Sequence, residues 1–193
     1  MTARTRVVVA EDEAIIRLDI VEVLRDEGYD VIAETGRGDE AVELVANHQP
    51  DVALLDVKMP GIDGIEATKV IAGDRRTAVV LLTAFSQRDL VERATDAGAM
   101  AYLVKPYQRA ELVPAIETAL ARFRELQALD AQVGDLADQL EIRKLVDRAK
   151  GRLLDEHAMA EADAFRFLQQ SAMSNRRTMA EVALDVIAGT LVP

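Results

Sequence analysis

The sequence predicts an α/β protein with a parallel sheet covered by helices on both faces, followed by an all-helical tail. Three observations carry this. Short apolar runs alternate strictly with amphipathic stretches over the first two thirds of the 193 residues, a pattern that builds parallel sheets. The runs are continuous rather than alternating, as in strands buried on both faces. Beyond Glu111 the helical pattern does not stop, and only Gly134 and Gly151 interrupt it before Gly189.

The most informative run is Val52–Leu55, which ends on Asp56 and passes at once into Val57-Lys58-Met59-Pro60-Gly61-Ile62-Asp63-Gly64. A buried strand that stops on a carboxylate puts that carboxylate where open parallel sheets do their chemistry. The other runs are Arg6–Ala10 before Glu11-Asp12, Val31–Ala33, Ala78–Thr83, and Ala101–Val104 before Lys105-Pro106. Between them, apolar spacing predicts helices over Ile15–Leu24, with Gly28 as its left-handed terminator, and from an Asp39 N-cap through Ala46. Further helices are expected over Ile65–Ala72, over Arg88–Ala97 closed by Gly98, and from about Arg109 onward, with Pro114 in its first turn.

In the tail, Leu126, Leu129, Val133, Leu136 and Leu140 are spaced 3, 4, 3, 4, a coiled-coil seam of two heptads. One reading pairs or self-docks this helix; the other lays it on its own domain. Three short helices follow. The third is announced by a capping box at Thr178-Met179-Ala180-Glu181. The chain divides into an α/β domain at 1–122, a helical connector at 123–138 and a helical domain at 139–193.

Composition excludes several chemistries. There is no Cys, hence no disulfide, thiolate metal site or thiol nucleophile. His48 and His157 are the two histidines, too few for a histidine-rich metal centre. Trp is absent and aromatics are 4%, so no aromatic platform for bases or sugars is expected. No run is long enough to span a bilayer and no signal peptide is visible, so the expected location is the cytoplasm. The net charge of −11 resides in residues 1–138, while residues 139–193 carry 8 basic and 8 acidic groups. The acidic part is unsuited to nucleic acid; the neutral tail can meet it through a local basic face.

The strand ends collect Glu11, Asp12, Asp56, Thr83 and Lys105. Carboxylates converging on one point require a hard cation, and an oxygen-only ligand set favours Mg²⁺. Add a fixed lysine charge and a hydroxyl donor, and the set has what phosphoryl transfer to a carboxylate needs.

Glu11-Asp12, the Asp56 loop, Thr83-Ala84 and Lys105-Pro106, in that order, resemble the receiver-domain signature of two-component response regulators over about residues 5–122. The resemblance implies a flavodoxin-like (βα)5 fold with strand order 2-1-3-4-5. It makes Asp56 the phospho-acceptor for a sensor histidine kinase. Asp12, Asp56 and the backbone carbonyl of Lys58 would ligate Mg²⁺, with Glu11 acting through water. Thr83 and Lys105 would bind the phosphoryl group, Lys105–Pro106 would be cis, and Thr83 and Tyr102 would form the switch pair. Lys58 and Phe85 occupy positions that either tune phosphoryl lifetime or fill surface.

The segment Leu140-Glu141-Ile142-Arg143-Lys144-Leu145-Val146-Asp147-Arg148-Ala149-Lys150-Gly151, with Ala162–Leu168 and Ala172-Met173, is similar to the ANTAR RNA-binding module over about residues 136–189. That resemblance implies a phosphorylation-dependent antitermination regulator binding paired RNA stem-loops. Arg143, Lys144, Arg148, Lys150 and Gly151 form its expected RNA surface, together with Arg176 and Arg177 beside a helix N-terminus. A helical glycine costs about 1 kcal/mol against Ala, so Gly151 points to close approach, by a phosphate backbone or by a packed helix. The chain departs from the family pattern at Ala158 and Ala160, where Gly and then Ser or Thr are usual. The loss of both caps predicts a loose connection or merged helices. Phosphorylation would unmask the tail or dimerise the chain. The rival outputs are a protein-interaction module without RNA affinity and, disfavoured by the lack of a recognition helix, DNA binding. A second polar constellation for enzymatic output is missing from residues 110–193.

Overall fold

A computed structural model describes residues 4–84 and 88–193, apart from the side chain of Arg88; Phe85 therefore lies outside the described residues. The elements run β1 (Arg6–Ala10), α1 (Ala14–Asp26), β2 (Asp30–Thr35), α2 (Gly38–His48), β3 (Val52–Asp56), α3 (Gly64–Gly73), β4 (Ala78–Thr83), α4 (Arg88–Asp96) and β5 (Ala101–Val104). They continue with α5 (Arg109–His157), α6 (Glu161–Asn175) and α7 (Met179–Ala188). The chain divides into two compact units, Met1–Ala128 and Leu129–Pro193.

In the first unit all five strands are parallel, in the order β2-β1-β3-β4-β5. This is the expected flavodoxin-like topology. Strand side chains alternate between faces. Val7, Val9, Leu54, Val80 and Leu82 point toward α1 and α5 and meet Ile20, Leu24, Leu112, Ile116 and Phe123. Val8, Ala10, Ala53, Leu55, Val79 and Leu81 point toward α2, α3 and α4 and meet Ala41, Val45, Ile65, Ile71, Ala94 and Ala97. Every residue of β3 and β4 is buried. With the sheet covered on both sides, the open place for chemistry is the rim at the strands' carboxyl ends.

Three local expectations are corrected. The N-cap of α2 is Arg37, and Asp39 lies in the first helical turn; there Asp39 pairs with the Arg37 guanidinium at 2.7 Å instead of capping. Pro114 lies inside α5, beyond its first turn, where it lacks the N–H that would bond one turn back; Thr118 Oγ1 donates to its carbonyl at 2.7 Å. The first of the three tail helices is not separate, because α5 is a single helix from Arg109 to His157.

The second unit has its own core. Val146, Ala149 and Leu153 of α5 pack with Ala164, Leu168 and Ala172 of α6 and with Val182, Ala183 and Val186 of α7. The capping box on α7 is complete, with Thr178 and Glu181 satisfying each other's backbone N–H groups. The seam residues Leu126, Leu129, Val133, Leu136 and Leu140 are 38–65% exposed.

The junction after α5 carries the cost of the two alanines. The helices have not merged. Ala158 stands at φ 52°, a left-handed conformation that costs an L-residue about 1–2 kcal/mol. Ala160 is the N-cap of α6 and offers no side-chain acceptor. Ala158→Gly and Ala160→Ser should each stabilise the second unit by about 1 kcal/mol, seen as slower amide exchange across α6. Unchanged exchange in both variants would show that this junction carries no strain.

Candidate functional site

The rim gathers the expected residues. Asp56, last residue of β3, and Glu11, just after β1, are buried, as is Thr83 at the end of β4. Oxygens of Glu11, Asp12 and Asp56 lie within 4.8 Å of one another, and Asp12 is the exposed member. Lys105, just after β5, donates to Glu11 Oε2 at 2.5 Å and lies 2.9 Å from Asp56 Oδ1. The Lys105–Pro106 bond is cis. The backbone N–H of Lys58 donates to the Asp56 carboxylate.

Two glycines let the loops close on this point. A Cβ on Gly64 would stand 2.1 Å from the backbone oxygen of Asp56, and one on Gly38 would stand 2.0 Å from that of Ile62. Both are impossible contacts, so the Asp56 loop can fold back on β3 only with glycine at 64. Gly64 N–H then donates to the Val57 carbonyl at 2.9 Å, and Gly38 N–H to that of Pro60 at 3.0 Å.

Burial, more than any neighbour, pushes the Glu11 carboxyl above its ordinary range, and Lys105 pulls it back while Asp56 pushes it further. The Asp56 carboxyl is raised likewise, with Asp12 adding repulsion against the pull of Lys105. For Lys105 burial opposes the charge, but the hydrogen bonds and fields of Glu11 and Asp56 outweigh it and its pKa rises. The cluster thus holds a lysine that is securely charged and carboxylates that burial destabilises. An oxygen donor set with one exposed member suits a divalent ion.

Residues that sequence reasoning missed support the rim. Arg17 of α1 turns inward and donates to the backbone carbonyl of Glu11 at 2.6 Å, with Glu34 3.3 Å from its Nε. Tyr107, whose phenol is pushed up by burial and by the nearby carboxylates, stands two residues after Lys105. Arg17 reads as helix surface in the sequence, because nothing local marks an arginine that faces a loop carbonyl. Tyr102 is 47% exposed and borders a recess lined by Leu81, Thr83, Leu90, Val91 and Ala94.

The family model for the response regulator receiver domain matches residues 7–117, and the model for the ANTAR domain matches residues 134–187. The chain is a two-component response regulator. The transcriptional regulatory protein PdtaR of Mycobacterium tuberculosis is 57% identical to this response regulator over 186 residues, 96% of this chain and 90% of that protein. The chemotaxis protein CheY of Bacillus subtilis is 35% identical over 116 residues, 60% of this chain and 97% of that protein. Among solved structures, the signal receiver domain of the response regulator NarL from Mycobacterium tuberculosis aligns at TM-score 0.60 and 34% identity, covering 62% of this chain and 98% of that one. A CheX–CheY–BeF3–Mg complex from Borrelia burgdorferi aligns at 0.56 and 28%, covering 58% and 86%. The response regulator thus joins a receiver to an ANTAR output domain.

In the ANTAR domain the expected basic residues separate into two groups. Arg143, Arg148 and Arg176 are exposed and form no ion pair among the described residues. Lys144 pairs with Glu141 at 2.6 Å, and Arg177 with Asp185 at 2.5 Å. Lys150 is 19% exposed and bridges Asp147 at 2.8 Å and Glu161 of α6 at 3.1 Å. Gly151 has nothing within 4 Å of where a Cβ would be, so helix packing does not explain it. The α7 N-terminus is already satisfied by its capping box, and Arg176 is the left-handed C-cap of α6.

A carboxyl whose folded pKa is raised penalises folding above that pKa, and the penalty fades as pH falls through it. In Mg²⁺-free buffer, Asp56→Asn should therefore raise the receiver's unfolding midpoint by roughly 2–4 °C, about 1 kcal/mol. Calorimetry should show the gain shrinking as pH falls from neutral toward the ordinary carboxylate range. An equal or lower midpoint at neutral pH would mean that the Lys105 ion pair outweighs burial.

Proposed function

We propose that this response regulator takes a phosphoryl group on Asp56 from a sensor histidine kinase and converts it into RNA binding that controls transcription antitermination in the cytoplasm. The observation that carries the reading is the Asp56 carboxylate, 2.9 Å from Lys105 Nζ at the rim of a receiver joined to an ANTAR domain.

One Asp56 oxygen attacks the phosphorus of a phosphohistidine; the new P–O bond forms as the P–N bond breaks and imidazole leaves. Lys105 follows the charge onto the phosphoryl oxygens, and the Thr83 hydroxyl donates to one of them. Asp12, Asp56 and the Lys58 carbonyl would hold Mg²⁺, with Glu11 acting through water. The BeF3–Mg complex of a CheY relative supports that assignment. Bound Mg²⁺ would supply neutralisation of the phosphoryl charge. As Thr83 moves toward the phosphoryl group, Tyr102 turns into the recess beside it, shifting a two-state equilibrium.

The exposed seam of α5 supports the output step. Five apolar residues at heptad spacing, 38–65% exposed, suit a parallel pairing of two chains. A dimer presents two ANTAR domains to paired stem-loops at high effective concentration. Arg143, Arg148 and Arg176 meet phosphates directly. Lys144, Lys150 and Arg177 do so by exchanging exposed carboxylate partners, and Gly151 leaves room for a backbone to approach. The same seam favours a second reading, in which phosphorylation drives self-association and the tail binds protein rather than RNA.

The test is salt-titrated binding of the full chain, with and without beryllofluoride and Mg²⁺, to a dual-stem-loop RNA and to a DNA duplex of equal length. Activation should tighten RNA binding about ten-fold, within the usual range of coupling, and leave DNA binding weak. Asp56→Asn should lose the gain. Dimerisation without RNA preference would move the tail to the protein-interaction reading, and equal RNA affinity in Asp56→Asn and activated wild type would sink the coupling.

A further inference from the structure

The receiver is acidic, yet six of its fifteen basic residues, Arg4, Arg6, Arg75, Arg76, Arg122 and Arg124, gather at one end. They flank the amino ends of β1 and β4 and the part of α5 beside them, opposite the rim that carries Asp56. Some of this charge has local work. Arg6 donates to the Gln49 carbonyl at 3.1 Å and Arg122 to the Met100 carbonyl at 3.1 Å.

Arg4, Arg76 and Arg124 open onto a cavity of about 380 Å³ whose lining also includes Thr5, Asp51 and Gln127, with Leu120 and Phe123 beside them. That size is within the range of small-ligand sites. Arg4 and Arg124 form no hydrogen bond or ion pair among the described residues. Arg76 approaches Asp74 at 3.8 Å with both side chains mostly exposed, too long for a hydrogen bond. The one carboxylate in the cavity, Asp51, accepts from the Arg6 backbone N–H at 2.7 Å. Three guanidinium groups thus line a cavity that holds one carboxylate, itself engaged by a backbone N–H. Leu120 and Phe123 are buried and close the cavity's apolar side.

We propose that this cavity is a binding site for a phosphate-bearing anion. Guanidinium forks match phosphate oxygens in pairs, and Arg4, Arg76 and Arg124 reach the cavity from three separate segments, as convergent recognition of one phosphate group requires. Thr5 and Gln127 add polar groups. A bound anion ties α5, through Arg124 and Gln127, to the strand ends that carry Arg4 and Arg76, so occupancy restrains the turn of α5 that leaves the sheet. A free polyphosphate and the phosphodiester of an RNA strand share this chemistry.

The experiment follows backbone amides of the full chain by NMR in Mg²⁺-free buffer during titration with inorganic pyrophosphate and, separately, with oligouridylate. The expected result is saturable shifts at Thr5, Asp51, Arg76, Arg124 and Gln127, with affinity about ten-fold weaker in Arg76→Ser/Arg124→Ser as charge-assisted bonds are lost. Arg124→Lys keeps the charge and loses the fork; it should weaken binding by a smaller factor, and it stands in if the double variant does not fold. Saturation by pyrophosphate identifies a free anion as the ligand, and saturation by oligouridylate alone identifies an RNA backbone. Shifts confined to the Asp56 rim, no shifts with either probe, or equal affinity in the variants would overturn the proposal.

Discussion

The receiver is organised by a charge problem. Glu11 and Asp56 are buried beside each other, and one ammonium group, Lys105 Nζ, holds both at 2.5 and 2.9 Å. Removing charge from water is costly unless it is matched. Lys105 matches only part of this negative charge, because burial still raises both carboxyls. The unmatched remainder is what makes the rim receptive to a cation. The rest of the unit serves this convergence. Parallel pairing delivers β1, β3, β4 and β5 to one rim in register, and glycine at 38 and 64 permits the loop contacts around Asp56.

Much of this was legible because the signals are local. A continuous apolar run is a strand signal whatever surrounds it, and all five strands lie where such runs stand. The strand-end set Glu11, Asp12, Asp56, Thr83 and Lys105 followed from those ends. The corrections lie where two local signals compete. Asp39 has the better capping side chain, but the chain enters α2 at Arg37 because Gly38 must press against Ile62. The start of α5 near Arg109 was legible, but Pro114 reads as a first-turn residue and stands past that turn. Arg17 was not legible, because its role is a bond to a carbonyl brought near by the fold.

The ANTAR domain shows a different limit. Its composition is electrically neutral, and composition does not reveal which charges are engaged. Among the described residues Lys144, Lys150 and Arg177 form ion pairs with carboxylates, and Arg143, Arg148 and Arg176 form none. Exposed pairs of this kind contribute little to stability, so they can exchange a carboxylate for a phosphate at little cost. The deeper position of Lys150, bridging to α6, makes it part of the domain's own fastening as well as its surface. Gly151 is the reverse case, a residue with a folding cost at a position where a Cβ would meet nothing within 4 Å.

The unbroken course of α5 has a consequence for how this architecture can vary in length. Side chains on a helix advance by about 100° per residue, and seven residues nearly complete two turns. The exposed leucines between 126 and 140 keep one azimuth only while that count is preserved. An insertion or deletion of seven residues keeps the stripe in phase, whereas one of two or five breaks it into two stripes on different sides. The connector therefore behaves as a gear with a fixed tooth spacing, and its tolerated lengths form a ladder of whole heptads.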